Sequence, residues 1–307
     1  MDRLEAMSIL IAVTEHGSLS AAGRALGIPL PTVSRKISDL EALLGTRLLI
    51  RTTRKLVLTD AGIAYVAAAR RILDQVDEAE RQAAEEFVVP KGELAMTAPL
   101  MFGRLHVLPL VADFLASYDQ ITVRLTLSDR NIDLIDDHLN LAVRIGKLPD
   151  SSMVATPLGT IRMVTCASPG LLDKLGTPKV PDDLASFPCV ALESPMPASQ
   201  WHFRVPGALA AHQVMVKARL TTSTPEAAAH AAVQSVGAAQ LLHYQVADDV
   251  KLGRLKIILE AYEPEPVAAH LVHASRGQMP VKMRRFVDVA VPRLRAALKE
   301  IAGLPPD

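Results

Sequence analysis

The stretch GIPLPTVSRKISDLEALLG, Gly27 to Gly45, constrains this chain more than any other. Val33, Ile37, Leu40 and Leu44 are spaced four, three and four apart, the period of a helix with one buried stripe. Pro31 suits its first turn, where a missing N–H costs nothing. Ser18 stands where an N-cap belongs, just before LSAAGRALG, and that short helix ends at Gly27. Two helices joined by about four residues have helix-turn-helix spacing. A preceding helix carries Leu4, Met7, Ile11 and Thr14 at helical spacing and ends near His16–Gly17, since glycine suits a left-handed cap. Downstream, RLLI and KLVL read as two strands separated by RTTR, a hairpin with a basic tip that makes a wing.

Over the whole chain 33 bases cancel 33 acids, so net charge indicates no partner. Charge placement does. From Pro31 to Leu58 six bases (Arg35, Lys36, Arg47, Arg51, Arg54, Lys55) face two acids (Asp39, Glu41), a net +4. From Thr59 to Pro90 three bases face seven acids, a net −4. Phosphate contacts supply most non-specific affinity for DNA, and each needs a cation or an N–H donor. Thr32, Ser34, Arg35 and Lys36 sit in the opening turns of the helix, whose N-terminal residues point toward base edges when such a helix enters a major groove. Arg51 and Arg54 at the hairpin tip suit phosphate or the adjacent minor groove. A solvated basic face on an ordinary helical domain is the competing explanation for Arg35 and Lys36.

SLSAAGRALGIPLPTVSRKISDLEALLGTRLLIRTTRKLVLTDAG resembles the winged helix-turn-helix of the LysR-type transcriptional regulators. The matching features are AA..L, P.VS..I..LE..LG..L and R..R...LT.AG. The resemblance implies DNA contacts from Ser18, Pro31, Thr32, Ser34, Arg35, Lys36, Arg51 and Arg54. There is one departure. Members usually have a Ser capping the third helix followed by a Gln; here Pro29 and Leu30 stand there, so a capping hydroxyl and a base-reading amide are absent.

Residues 60–87 read as one long helix, with Ala61, Tyr65, Ala68, Ile72, Val76, Ala79 and Ala83 forming a narrow seam. Such a seam suits packing on a second chain, or a surface helix on its own domain. The resemblance implies a dimer through 60–87, a near-palindromic double-stranded operator and, by family habit, a tetramer. VVPKG at 88–92 breaks the helix as a hinge.

From residue 93 strand-like runs (GELAMTA, ITVRLTLSD, LNLAVRIG, RMVTCAS, CVALES, WHFRV, VMVKARLTT, LKIIL, VAAHLVHA) alternate with helical patterns near 100–117, 132–137, 225–236, 243–250 and 280–300. Alternation of this kind predicts an α/β domain with largely parallel sheets. The class is therefore α+β multidomain: a winged helix-turn-helix (1–59), a linker helix, a hinge, and an α/β domain over 93–300. LAVRIG, LSDR, ASPGLL, P.DLA, LGRL and RRFVD resemble the LysR-type effector domain, which is built like a periplasmic binding protein. That implies lobe one at 93–161 and 267–300, and lobe two at 162–266. SVGAAQLL departs from the Gly-rich run many members carry there.

The resemblance further implies a small-molecule effector between the lobes, touched by Thr97, Ala98, Ser128, Arg144, Trp201, Ser223 and Thr224. Thr97, Ser223 and Thr224 fit helix caps equally well, Ser128 a strand end, and Trp201 a core position. Arg144 in an apolar strand needs a carboxylate partner such as Asp129, or an anionic ligand.

Gly-rich phosphate loops, H-E-x-x-H, C-x-x-C and G-x-S-x-G are absent, so no catalytic centre, metal or cofactor is expected. An α/β enzyme with a helical oligomerisation arm would need a nucleophile–base pair or a metal. A solute-binding module leaves the basic wing unexplained. Cys166 and Cys189 read as inert buried thiols. The N-terminal run is broken by Glu5 and Glu15, and no segment is expected to span a membrane, so the expected location is the cytoplasm.

Overall fold

The computed structural model describes residues 2–51, 56–83, 89–130, 132–148, 153–193, 200–207, 210–274 and 279–301. It divides into two units, 1–88 and 89–307.

The first unit begins with helix α1 (Arg3–Glu15), capped by Asp2, whose carboxylate accepts from the Leu4 and Glu5 amides. Its buried residues are Ala6, Met7, Ile9, Leu10, Ala12 and Val13, a wider face than the expected stripe, and Leu4 is exposed. The cause is that α1 packs on three helices at once: α2 (Leu19–Leu26), α3 (Leu30–Leu44) and α4 (Asp60–Ala83). Ser18 caps α2, its hydroxyl accepting from the Ala21 amide at 3.0 Å, and Gly27 closes it with φ 67°. Val33, Ile37 and Leu40 are fully buried, worth about 1.5–3 kcal/mol each. Leu44 on the same stripe is exposed, because the stripe outruns the core by one turn.

Strands β1 (Leu49–Arg51) and β2 (Leu56–Leu58) pair antiparallel as the wing. Glu41 of α3 accepts from the Leu48 and Leu49 amides at 2.8 and 3.0 Å, fastening the helix to the wing. The Thr59 hydroxyl donates to the Arg47 carbonyl and accepts from the Gly62 amide. A Cβ at Gly62 would meet the Leu48 carbonyl oxygen at 2.1 Å, so only glycine lets α4 pass beneath the wing. On α4, Gly62, Val66 and Ala69 face their own unit, while Ile63 and Ile72 are exposed. The side chains of Ala79 and Ala83 lie outside the described residues, as do residues 84–88.

The second unit opens with β3 (Gly92–Ala98), then α5 (Leu100–Phe102), a π turn (Gly103–Val107) and α6 (Leu108–Ser117). Next come β4 (Ile121–Leu127), β5 (Leu141–Ile145), β6 (Met153–Ile161), β7 (Met163–Ala167), α7 (Pro169–Leu175) and β8 (Pro188–Leu192). β9 (Gln200–Phe203), β10 (His212–Met215), β11 (Lys217–Thr222), α8 (Pro225–Val233) and β12 (Ala238–Leu242) follow. α9 (Ala247–Lys251), β13 (Lys256–Ile258), β14 (Val267–Ala274) and α10 (Val281–Ile301) complete it.

Two five-stranded sheets result, ordered β4-β3-β5-β14-β6 and β11-β8-β12-β7-β13. Each is mixed rather than largely parallel: β14 runs antiparallel to β5 and β6, and β7 antiparallel to β12 and β13. β14 has to return from the second lobe before it can pair, which reverses its direction. The segment expected to be helical at 132–137 is a turn, because the Asp133 carboxylate accepts from the Ile135 and Asp136 amides and His138 adopts φ 54°.

Leu100–Ser117 is by length and composition alone apolar enough to cross a membrane, although Arg104, His106 and Asp113 interrupt it. Its Phe102, Val107, Leu110, Val111 and Phe114 lie in the lobe-one core with Phe286, Leu294 and Leu298 of α10.

Candidate nucleic-acid interface and interlobe cavity

Within the first unit, α3 turns Pro31 and Arg35 fully outward and Thr32 and Ser34 partly outward. Arg35 makes no ion pair among the described residues. Lys36 differs from expectation: its ammonium is paired with Glu5 of α1 and its side chain is 17% exposed, so its charge is spent inside the unit. The Ser18 hydroxyl is likewise engaged as the α2 cap. Pro29 caps α3 without a side-chain hydrogen bond, as the missing hydroxyl implies. Arg51 lies in β1, but its side chain is outside the described residues, and so is Arg54.

In the second unit a cavity of about 170 Å³ lies between the lobes. Lobe one lines it with the C-terminal ends of three parallel strands: Thr97 and Ala98 from β3, Ser128, Asp129 and Arg130 after β4, and Arg144 from β5. Lobe two contributes Pro225 at the start of α8, and Leu242, Tyr244 and Gln245 after β12. Strand ends at a change of connection are where open α/β sheets take ligands.

Thr97 is 3% exposed and lines the cavity at the end of β3. The Ser128 hydroxyl accepts from the Arg130 amide at 3.1 Å and keeps its own proton to give. Gln245 is buried, its oxygen accepting from the Leu242 amide and its nitrogen donating to the Tyr244 hydroxyl at 3.3 Å. Tyr244 therefore retains a free O–H donor. Its ring leaves lobe two and enters the lobe-one core, edge-on to Phe102 with centroids 5.4 Å apart and to His106 at 6.0 Å. Burial raises the Tyr244 pKa, so the phenol stays protonated. Burial also lowers the His106 pKa, against a weaker opposing pull from Glu300.

Arg144 does not pair with Asp129. One Asp129 oxygen accepts from the Leu100 amide at 3.0 Å, while Arg144 donates to the Ile132 carbonyl and feels the charge of Asp133. Three expected ligand residues are placed apart from the cavity lining. Trp201 is buried in the lobe-two core with Phe203 and Val214, on the ribbon β9–β10. Ser223 is exposed. Thr224 caps α8 by accepting from the Ala227 amide. The lining residues Tyr244 and Gln245 carried no sequence signal: an aromatic after a short Ala-rich run reads as core. Asp129 and Arg130 did, within LSDR. Both thiols are buried, and burial pushes each up to about 12.

Residues 4–63 match the bacterial regulatory helix-turn-helix protein, lysR family, and residues 89–295 match the LysR substrate binding domain. An uncharacterized HTH-type transcriptional regulator, YhjC of Escherichia coli, is 31% identical over 94% of this chain and 96% of its own length. An HTH-type transcriptional regulator of Xanthomonas campestris is 33% identical over 93% of this chain and 84% of its own. The solved structure of CrgA, a LysR-type transcriptional regulator from Neisseria meningitidis, aligns with a TM-score of 0.61 at 29% identity, covering 94% of this chain and 98% of that one. With a reading helix and wing at one end and a two-lobed effector domain at the other, this chain belongs to the LysR-type transcriptional regulators.

Proposed function

We propose that this DNA-binding transcriptional regulator is controlled by a small organic anion held between its lobes. The observation that carries this is one cavity lined by the hydroxyl-bearing Thr97, Ser128 and Tyr244 together with Arg130 and Arg144. All of these donate, and two carry positive charge; the one carboxylate, Asp129, already accepts from an amide. Hydroxyl and guanidinium donors gathered on one cavity suit a ligand that accepts hydrogen bonds and carries negative charge. The volume equals roughly five or six waters, room for a ligand of about ten non-hydrogen atoms or fewer. The anion would draw the lobes together through Tyr244 and bias one of two lobe angles, which is how differential affinity becomes regulation.

The regulator works in the cytoplasm on a near-palindromic operator, as a dimer joined through 60–87 and a tetramer made of two such dimers. Arg35 and the wing would grip the operator, with Thr32 and Ser34 at base edges. The experiment is a thermal-shift panel of small carboxylates, benzoate and succinate among them, each beside its amide. At least one acid should raise the midpoint in a concentration-dependent way while its amide does not. Thr97→Val and Arg144→Gln should each abolish that shift. Equal response to the amide, no response to any acid, or an undiminished shift in Thr97→Val would reject an anionic effector at this site.

A further inference from the structure

The tip of α3 is unlike the rest of its outward face. Leu30, the first residue of the helix, is 47% exposed and stands outside the hydrophobic core of its unit. It is flanked by Pro29 and Pro31, both exposed. Two of these three residues have no backbone N–H, and none has a polar side chain. A helix N-terminus ordinarily offers free amides to phosphates and base edges. Here that supply is thinned, and the side chain in front of it can neither donate nor accept.

A single exposed leucine needs no explanation on an ordinary surface. This one stands at the end of the helix with which a DNA-binding unit reads sequence, one turn ahead of Ser34 on the same edge of α3. Set against a guanine, adenine or cytosine edge, Leu30 would strip water from donors or acceptors and return nothing. The thymine 5-methyl is the one apolar group a major groove displays. Contact with it removes apolar surface on both sides at no polar cost.

We propose that Leu30 is a specificity-determining residue, and that the Pro29–Leu30–Pro31 tip of α3 packs on a thymine methyl group in the major groove of each half-site. This rests on the DNA-reading role of α3, and the experiment separates the two. Full-length wild type, Leu30→Ala and Leu30→Gln are each used to select binding sites from random duplexes. In the wild-type site every thymine is then replaced singly by deoxyuridine, which lacks only the methyl group.

Wild type should select a fixed thymine in each half-site, and uridine there should weaken binding about fourfold, the worth of one buried methyl. Leu30→Ala should keep salt-dependent binding, lose the thymine preference and ignore the uridine change. Leu30→Gln should move the preference toward adenine, which an amide reads through N6 and N7. Uridine effects that are absent from wild type, or undiminished in Leu30→Ala, would overturn the inference while leaving the DNA-binding role intact. Failure of all three proteins to bind any duplex would overturn both. Because Leu30 is exposed, circular dichroism should find all three equally folded.

Discussion

Two adjacent cations in α3 have opposite destinations. Arg35 projects outward without an ion pair among the described residues, and Lys36 folds back onto Glu5. Sequence alone gives both the same weight, since the helical period says which residues avoid the core and not which neighbour a long side chain finds. The difference is testable. Arg35→Ala should weaken operator binding about tenfold at 100 mM salt and flatten the slope of log K against log salt by about 0.9. Lys36→Met should leave that slope unchanged and instead lower stability by about 1 kcal/mol or less, discounted for the exposure of Glu5. Titrations at several salt concentrations, with a thermal melt of each variant, distinguish the two. Trp201 teaches the same lesson in the core. A lone tryptophan is a good ligand platform or a good core residue, and its packing with Phe203 and Val214 comes from ribbon pairing that no local pattern announces.

At the scale of the element, ends were more legible than middles. Ser18 and Gly27 state their roles through cap chemistry, and the structure uses both that way. Strands β6 and β12 escaped notice for identifiable reasons. β6 contains Pro157 and Gly159 opposite a register shift in β14, which spoils its alternation. β12, AAQLL, is built of helix formers and is a strand only because it lies between β7 and β8. The departure SVGAAQLL has a physical counterpart. Ser235 holds φ 63°, and its hydroxyl bonds that of Ser168 at 2.7 Å. A Cβ at Gly237 would meet the Pro188 carbonyl oxygen at 2.7 Å. The missing cap of α3 is the most correctable element. Pro29→Ser should restore about 1 kcal/mol. Amide exchange in the first turns of α3 in the full-length protein should slow about fivefold. Unchanged exchange there would mean that Pro29 already serves the helix as well as a hydroxyl.

For the molecule as a whole, α4 has two faces. Gly62, Val66 and Ala69 are taken by its own unit, and Ile63 and Ile72 stay uncovered, 57% and 38% exposed. The seam read from sequence, from Ala61 to Ala83, therefore splits. Its described members are half-buried or exposed, and Ile72 is the large apolar one left for a second chain. Ile72→Asp should shift the protein from dimer to monomer at micromolar concentration in sedimentation, and reduce affinity for a near-palindrome far more than for a half-site. A dimer that survives the substitution would place the pairing surface elsewhere.

Lobe two is inserted into lobe one, entered after β6 and left before β14. At that passage Arg162 grips Glu263 with two parallel hydrogen bonds of 2.8 and 2.6 Å, so the outgoing and returning strands are riveted side by side. Two strips of backbone joined in this way bend together about one line and resist being wrung. Flexing about that line is then the lobe movement that leaves the Arg162–Glu263 clamp intact.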